Sequence, residues 1–264
     1  MFEMFRRLWQ YRHFVINSIR NELITRFGRS KLGGLWMIIN PLAQVAIYAL
    51  ILSNVLAAKL PGIDNKYAYA IYLMAGLLAW TLFNEIISRC LNLFIEQGNL
   101  MKKMSFPRIA LPSIVIGSCL LNNILLFAAM LGIFALLGHP FSIAMLWLVP
   151  LSLTVVSLAL GIGLILGVMN VFLRDIGQVI PILLQIWFWF TPIVYSENII
   201  PESYRHWLIL NPLRPITSAY QQVLVYGASP QLDGMAFIAA IALALMVLSL
   251  FLFRRASAEM VDAL

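Results

Sequence analysis

Residues 145–171 read MLWLVPLSLTVVSLALGIGLILGVMNV, a stretch without Asp, Glu, Lys or Arg. About 20 mostly apolar residues are enough for a helix to cross the ~30 Å hydrocarbon core of a bilayer. Lipid offers no hydrogen-bond partner to the backbone, so a single segment of this kind must be helical. Residues 145–171 therefore predict a transmembrane helix.

Comparable apolar segments occur on both sides of this one, and together they predict an all-α integral membrane protein. The six predicted transmembrane helices are residues 35–57, 67–88, 109–137, 145–171, 176–195 and 235–253. The composition agrees, because 62% of the 264 residues are hydrophobic and only 11% are charged, whereas about a quarter of a soluble domain is charged. A free cytosolic enzyme and an intrinsically disordered chain are both excluded.

The basic residues predict the orientation of the spans. Of the 18 Lys and Arg residues, four (Lys59, Lys66, Arg205 and Arg214) fall on one side, and all the others share a side with the two termini. Basic residues accumulate in cytoplasmic loops, so both termini, including the tail 256–264, are predicted to be cytoplasmic. The net charge of +7 then reflects topology and anionic headgroups, not nucleic-acid binding. No signal peptide is visible, and the first span is expected to remain in the mature protein.

Residues 1–30 precede the first span, and residues 2–24 within them predict an amphipathic helix. At about 100° per residue, one arc holds Phe5, Leu8, Trp9, Val15, Ile16, Ile19 and Leu23, with Arg12 as the charged exception. Aromatic anchors on one face and arginines on the other favour an interface helix on the cytoplasmic membrane surface. The alternative is a helix that packs against a partner protein.

The cytoplasmic segment 96–112 between spans two and three is too short for a domain. Gly98 and Pro107 flank about two helical turns in which Met and Leu lie on one face and Lys on another. Such a helix suits docking into the groove of a partner. The alternative is a basic loop that serves only as a topology signal.

The segment 196–234 between spans five and six is too apolar for an exposed loop and too interrupted for a full span. Pro201, Pro212 and Pro215 alternate with apolar residues such as Trp207. This pattern predicts re-entrant helices that dip into the outer leaflet. Non-helical backbone at that depth is tolerated only where it is buried in protein or lines an aqueous cavity, so the segment predicts the periplasmic mouth of a pore.

Catalytic signatures are largely absent from the sequence. No Gly-x4-Gly-Lys-Ser/Thr phosphate loop, His-Glu-x-x-His or Gly-x-Ser-x-Gly motif occurs, so no catalytic residue is predicted, and ATP hydrolysis by this chain alone is not expected. Cys90 and Cys119 lack a second Cys or a His at metal-ligand spacing, so no metal site is predicted. The three histidines, His13, His139 and His206, fall in unrelated flanks.

Glu85 and Arg89 are the charged residues that come closest to the membrane interior. A charge at the bilayer centre costs about 2.5–3.5 kcal/mol, so both residues are functional candidates. Their i, i+4 spacing also allows a purely structural ion pair near the interface. The remaining spans carry no charge before their cytoplasmic ends, which disfavours an ion-coupled carrier.

Aromatic rings concentrate in spans two and five. Tyr72, Trp80 and Phe83 lie in span two, and Trp187 and Trp189 lie in span five. Rings can stack against the C–H faces of sugars, so these five residues are candidates for a surface that faces sugars. The alternative is an interfacial belt or helix packing.

Five short motifs occur in order between about residues 26 and 226. They are Lys31-Leu32-Gly33-Gly34-Leu35-Trp36 with Asn40-Pro41-Leu42, Lys102-Lys103-Met104-Ser105-Phe106-Pro107-Arg108, Phe172-Leu173-Arg174-Asp175-Ile176, Phe190-Thr191-Pro192-Ile193-Val194-Tyr195, and Asn211-Pro212-Leu213. Together they resemble the type-2 ABC transporter permeases that export polysaccharides. Leu173 is a departure, because the family more often has Phe-Arg-Asp at that motif.

The resemblance implies a channel-forming permease subunit in a bacterial inner membrane. Two copies would assemble with two separate ATP-binding cassette subunits, with no cofactor on this chain and with ATP and Mg²⁺ on the ATPase partner. The implied cargo is a lipid-linked polysaccharide, O-antigen before others, moved from cytoplasm to periplasm. Teichoic acid and capsule exporters share these motifs.

The resemblance also implies two groups of site residues. Coupling to the ATPase is implied for Asn99, Leu100, Met101, Lys102, Lys103, Met104, Ser105, Phe106, Pro107, Arg108, Arg174 and Asp175. A periplasmic gate is implied for Pro192, Tyr195, Pro201, Asn211 and Pro212.

Two other functions remain as alternatives. An integral membrane enzyme acting on lipid-linked sugars would need clustered Asp, Glu or His at one membrane face, and this sequence has only scattered ones. An ion-coupled lipid-sugar flippase would need acidic residues at mid-depth.

Overall fold

The computed structural model describes residues 9–28, 68–103, 108–136, 138–197 and 200–263, together with positions 6, 35, 36, 39 and 43. The helices are α1 (Arg12–Gly28), α2 (Ala68–Glu96), α3 (Gly98–Lys103), α4 (Ala110–Leu136), α5 (Leu148–Phe172), α6 (Ile176–Phe190), α7 (Glu202–Ile209), α8 (Leu213–Val225) and α9 (Leu232–Ala263), with a 3-10 helix (Ile143–Trp147) before α5. These described segments contain no strand, which confirms the all-α fold.

Within the described segments, four helices are long and apolar enough to cross a membrane: Ala68–Glu96, Ala110–Leu136, Ile143–Phe172 and Gly234–Ser257. They coincide with the predicted spans two, three, four and six, so the protein is a multi-pass membrane protein. Most of the predicted first span, 35–57, lies outside the described residues. The predicted fifth span, 176–195, contains a shorter apolar helix, Ile176–Phe190. The count of six spans therefore stays a prediction.

Helix α5 lies at the centre of the bundle between α2 and α9, and glycines allow the close approach. The spacing of Gly163 and Gly167 predicts such packing. A Cβ placed on Gly163 would lie 2.9 Å from the Cβ of Cys90 in α2. On the opposite face of α5, a Cβ on Gly161 would lie 2.8 Å from the backbone of Leu245 in α9. The predicted close approach is confirmed.

The two ends of the bundle are closed by different contacts. At one end, the ring of Phe94 in α2 stacks on Phe253 in α9 with centroids 5.2 Å apart, and Arg108 donates to the carbonyl of Ser257. At the other end, His139 Nε2 lies 2.7 Å from the carbonyl oxygen of Leu224 in α8. We call these the α3 end and the α8 end, after the short helices that lie there.

Helix α1 packs along α4, where the side chain of Ile19 lies directly against Gly117. Val15, Ile19 and Leu23 share the half-buried face, whereas Trp9 and Ile16 of the same predicted arc are exposed. Phe5 and Leu8 of the predicted arc lie outside the described residues, and the membrane-surface position of α1 stays a prediction.

Candidate functional site

Helix α6 ends at Phe190, well before the predicted end of span five. Pro192 has no N–H and disfavours helical backbone in the residue before it, and the Thr191 hydroxyl donates to the carbonyl of Trp187 at 2.9 Å. The chain that follows, residues 191–196, has no helical repeat, although Ile193 and Val194 are buried.

Side chains from α2 and α8 satisfy the backbone of this non-helical segment. Tyr69 donates to the carbonyl of Val194 at 2.5 Å. The Tyr72 hydroxyl lies 3.3 Å from the carbonyl of Pro192 and 3.2 Å from that of Tyr195, and Gln221 also donates to Pro192. Irregular backbone beside membrane helices requires such internal partners. The two tyrosines therefore act as hydrogen-bond donors to a buried turn.

Asn211 joins the same turn to the start of α8. Its Oδ1 accepts from the indole Nε1 of Trp187 at 2.9 Å and from the backbone N–H of Leu213 at 3.0 Å. Its Nδ2 donates to the carbonyl of Phe190 at 3.1 Å and to the hydroxyl of Thr191 at 3.0 Å. The amide is buried and uses both its donor and acceptor capacity, so it fixes the end of α6 to α8.

An ion pair between Arg214 and Glu197 joins the end of the turn to α8. Arg214 Nε donates to Glu197 Oε1 at 2.8 Å and Nη2 donates to Oε2 at 2.6 Å. This bidentate geometry is the strong form of an Arg–carboxylate bond, and hydrogen bonding to Glu197 raises the pKa of Arg214 above its ordinary value. We call the whole group the turn cluster, and it comprises Tyr69, Tyr72, residues 190–197, Asn211, Arg214 and Gln221.

The structure brings together most of the residues implied for a gate. Pro192, Tyr195 and Asn211 belong to the turn cluster, and Pro212 precedes α8 beside them. Tyr195 donates its hydroxyl to the carbonyl of Trp189 at 2.9 Å. Pro201 is exposed, outside the turn cluster, and precedes α7.

The five aromatic candidates for a channel surface differ in exposure. Tyr72, Trp80 and Phe83 are buried, and the ring of Phe83 meets that of Trp187 edge to face at 5.3 Å. Trp187 is half-buried, and Trp189 is 53% exposed. A buried ring has no surface to offer to a polymer in this conformation, so Trp187 and Trp189 are the two candidates that present ring surface.

Helix α3 carries the residues implied for coupling at the α3 end. Met101 is buried and Leu100 half-buried, whereas Asn99 and Lys102 are exposed. The backbone N–H groups of Leu100 and Met101 both bond to the carbonyl of Gln97, which continues the chain from α2 directly into α3. The side chain of Lys103 lies outside the described part, as do Met104, Ser105, Phe106 and Pro107.

The second implied coupling position is the turn between α5 and α6. Arg174 and Asp175 are both exposed there. Asp175 is the N-cap of α6 and makes no capping hydrogen bond. The buried side chain of Asn170 in α5 accepts from the N–H of Gly177 in α6 and donates to the carbonyl of Leu91 in α2. The sequence signal that could have identified Asn170 is an amide in an otherwise apolar span.

Glu85 and Arg89 belong to a larger polar group than the predicted pair. Their closest atoms are 3.9 Å apart, whereas Arg89 Nη2 lies 2.5 Å from Glu22 Oε1 in α1. Ser118 donates to Glu22 at 2.8 Å and Asn122 donates to Glu85 at 2.7 Å. We call these five residues the polar cluster. Glu22 escaped the sequence prediction because the pattern of α1 reports its apolar face and not its polar partners.

Among the residues that the structure describes, no group of three or more His, Cys, Asp or Glu side chains could hold a metal ion. The candidate sites are therefore the exposed surfaces of α3 and of the Arg174–Asp175 turn at one end, and the turn cluster with Trp187 and Trp189 toward the other. The chemistry that these groups offer is hydrogen bonding, ring stacking and charge.

Comparisons with known proteins give a consistent set of similarities. The sequence model of the ABC-2 type transporter family matches residues 14–225. The O-antigen export system permease protein RfbA of Myxococcus xanthus is 27% identical over 270 residues, which cover 100% of both chains. A protein of the same description from Klebsiella pneumoniae is 28% identical over 78% of each chain. The polysialic acid transport protein KpsM of Escherichia coli is 26% identical over 88% of this chain and 89% of its own length.

Proposed function

This chain belongs to the ABC-2 type transporter family, and we propose on that basis that it is the permease subunit of an ATP-driven polysaccharide exporter. The observation that carries the proposal is the similarity to an O-antigen export permease along the whole length of both chains. O-antigen is accordingly the first candidate cargo, and a lipid-linked form of it the expected substrate. The similarity to a polysialic acid transport protein supports the broader class of polysaccharides.

The motor of the exporter is a separate ATPase that carries ATP and Mg²⁺. Two features at the α3 end support a docking surface for it. Exposed Asn99 and Lys102 lie on a short helix whose buried Met101 anchors it to the bundle. Exposed Arg174 and Asp175 form the turn that opens α6. A short amphipathic helix of this kind suits the groove of a partner protein.

The orientation follows from the charges at the two ends. Besides Lys102 and Arg174, the α3 end carries Arg254 and Arg255, both exposed on α9 just after Phe253. Basic residues favour the cytoplasmic side, so the α3 end with both termini faces the cytoplasm and the α8 end faces the periplasm of a bacterial inner membrane. Export then proceeds from the α3 end toward the turn cluster.

The channel requires a second copy of the chain. An exposed apolar stripe along α6 supports this arrangement, and it consists of Val179, Ile182, Leu183, Ile186 and Trp189. These positions recur at the spacing of one helix face. The stripe faces the space between two copies, where Trp189 and the half-buried Trp187 offer ring surface to a sugar. The turn cluster at the periplasmic end of the same helix forms the gate.

The decisive experiment is affinity purification of the tagged chain from its native membrane in mild detergent. An ATPase subunit is expected to co-purify, and deletion of the permease gene is expected to leave polysaccharide inside the cell. A chain that supports export without any ATP-hydrolysing partner would overturn the proposal. Such a result would revive the alternatives of an ion-coupled flippase or a membrane enzyme.

The docking surface makes a first prediction. Changing Lys102 and Lys103 together to Glu reverses the charge of α3 and is expected to reduce ATPase co-purification by about tenfold, because charge reversal at such an interface costs more than about 1.4 kcal/mol. The matched control changes Arg254 and Arg255 to Glu, which reverses charge at the same end of the molecule without substituting a residue of α3. Equal retention of the ATPase by both variants would contradict the assignment.

The channel surface makes a second prediction. Trp189→Ala is expected to slow export by about fivefold, in line with a loss of about 1 kcal/mol of aromatic contact to the passing polymer. ATPase co-purification is expected to stay unchanged. Phe251→Ala, which removes an exposed ring of α9, serves as the control. An export rate equal to that of the wild type in the Trp189→Ala variant would show that this ring does not contact the passing polymer.

A further inference from the structure

We propose that Asn170 is a positioning residue that holds the two motor-facing segments, α3 and the Arg174–Asp175 turn, in a fixed relation to each other. The inference rests on the proposed function, because it assumes that both segments contact an ATPase. On this proposal, α3 and the Arg174–Asp175 turn do not move independently of each other. A displacement imposed on one is passed to the other through a single buried amide.

The geometry of Asn170 connects three helices. Its side chain projects from the last turn of α5 and is 1% exposed. Its Nδ2 donates to the carbonyl of Leu91 in α2 at 2.9 Å and lies 3.5 Å from Asn92 Oδ1. Its Oδ1 accepts from the backbone N–H of Gly177 in α6 at 2.8 Å. One amide thus links the C-terminal part of α2, which leads into α3, to the residues just after the Arg174–Asp175 turn.

The bond to Gly177 supplies the side-chain acceptor that the N-cap residue of α6 does not. The first N–H groups of a helix have no partner within the helix, and the side chain of the N-cap residue Asp175 makes no capping hydrogen bond. Asn170 supplies an acceptor from the preceding helix instead. The N–H of Gly177 also bonds to the carbonyl of Arg174 at 3.1 Å, so the local turn and the amide of Asn170 together fix the start of α6. The Asp175 carboxylate stays exposed.

Gly177 is the residue that lets the amide approach. A Cβ at this position would lie 2.9 Å from Asn170 Oδ1 and 3.2 Å from Nδ2. Contacts that short force the neighbour to shift. A glycine in the first turn of a helix has no propensity advantage, so its presence here is explained by the space that Asn170 needs.

The helices around Asn170 are packed tightly against each other. One turn before Asn170, Gly167 brings α5 directly onto the backbone carbonyl of Cys90 in α2. The ring of Phe94, one turn after Cys90, would lie 3.3 Å from a Cβ placed on Gly167 and stacks on Phe253 of α9. Tightly packed interiors transmit displacement because they compress little, so a movement of α3 reaches Asn170 without being absorbed on the way.

No other side chain can make both bonds in the same place without a change of charge or length. A neutral amide is a donor and an acceptor at once. Leu has nearly the same shape and can do neither, so Asn170→Leu leaves the N–H of Gly177 without its side-chain acceptor and removes the polar link between the start of α6 and α2. The cost of a lost buried hydrogen bond is common to many sites, and a control for general destabilisation is therefore required.

Asn123 provides that control. It is a second buried Asn whose Nδ2 donates to a main-chain carbonyl of α2, that of Leu78, at 2.9 Å. It lies toward the other half of α2 and contacts neither motor-facing segment. Asn123→Leu and Asn170→Leu are expected to lower the thermal midpoint of the purified permease to a similar extent.

The first readout is the amount of polysaccharide exported per ATP hydrolysed by the complex of permease and ATPase. Asn170→Leu is expected to lower this ratio by about fivefold, a typical effect for a residue on a coupling route, while Asn123→Leu leaves the ratio unchanged. A purely structural role would lower export and hydrolysis in proportion. An unchanged ratio in Asn170→Leu would overturn the proposal.

The second readout needs no ATPase. Spin labels on Lys102→Cys in α3 and Gln178→Cys in α6 occupy exposed positions, and the native Cys90 and Cys119 are buried. The distance distribution between the labels is expected to be narrow in the parent and broad in Asn170→Leu. Gly177→Ala is expected to broaden it as well, although Ala favours helix formation over Gly. A narrow distribution in both variants would contradict the proposal that Asn170 links the two segments.

The outcomes separate the two proposals. If no ATPase accompanies the permease, the proposed function is wrong, whereas the spin-label result still decides whether Asn170 joins the two segments. If the ATPase is present and neither the export ratio nor the distance distribution changes in Asn170→Leu, the proposed function stands. The proposal that Asn170 links the two segments is then wrong.

Discussion

Buried amides carry much of the specific structure of this chain. Asn123, Asn170 and Asn211 are all buried, and each donates to a main-chain carbonyl of another segment. Between apolar helices the hydrophobic effect gives little direction, because lipid tails are as apolar as the side chains. The amides favour one relative position of the helices, because any shift would break their hydrogen bonds and leave a buried polar group without a partner.

Asn211 is expected to matter for the integrity of the turn cluster. Asn211→Leu removes the acceptor of the Trp187 indole N–H and both donors to the end of α6, and it is expected to cost about 2 kcal/mol of stability. Thermal unfolding followed by intrinsic Trp fluorescence would measure the loss. Asn99→Leu, at an exposed position of α3, is the control, and an equal midpoint for the two variants would refute the role of Asn211.

The polar cluster gives a residue-scale test of how α1 is attached. Glu22→Arg and Arg89→Glu each place like charges together and are expected to destabilise the packing of α1 on α4. The double variant restores an opposite pair, and a coupling of about 1 kcal/mol is expected from the thermal midpoints. The side chains are partly exposed, at 30% and 23% respectively, which keeps the value moderate. Strictly additive effects would show that the pair contributes nothing.

At the scale of elements, hydropathy predicted α2, α4, α5 and α9 well, because apolar length alone determines a membrane helix. It overestimated the fifth span. The segment after Phe190 is as apolar as a helix, but its backbone bonds to Tyr69, Tyr72 and Gln221 from elsewhere in the chain. Such long-range partners leave no trace in local periodicity. For the same reason the sequence suggested Tyr72 as a ring for sugars and did not suggest its hydrogen bonds.

The α2–α5 contact makes the element-scale prediction. Gly167→Ala drives a methyl group into the backbone of α2 at Cys90 and is expected to cost about 2 kcal/mol through overpacking. Gly132→Ala in α4 is the control, because a Cβ there meets nothing within 4 Å. Thermal midpoints in detergent would compare the two. A Gly167 variant as stable as the Gly132 variant would mean that the helices separate easily.

At the scale of the whole molecule, the two ends of the bundle differ in kind. At the α3 end, helix packing, the bond of Arg108 to Ser257 and the amide of Asn170 join the helices. The exposed basic residues there include Lys102, Arg174, Arg254 and Arg255. The α8 end has irregular backbone joined by hydroxyl, amide and guanidinium groups. The composition and the order of motifs were sufficient to predict a membrane permease, since both depend on sequence alone. The hydrogen bonds by which one side chain joins separate segments, such as those of Asn170 and Asn211, could not be predicted. They depend on how the helices pack in three dimensions.

The early end of α6 has a consequence for the surrounding lipid. Its 15 residues rise only about 22 Å, whereas the hydrocarbon core of a bilayer measures about 30 Å. Acyl chains adapt to such hydrophobic mismatch by local thinning, while the 29-residue helix α2 imposes no such demand. Any lipid that borders α6 outside the stripe is therefore expected to be thinner than the lipid beside α2, which shortens the apolar barrier on that side of each subunit.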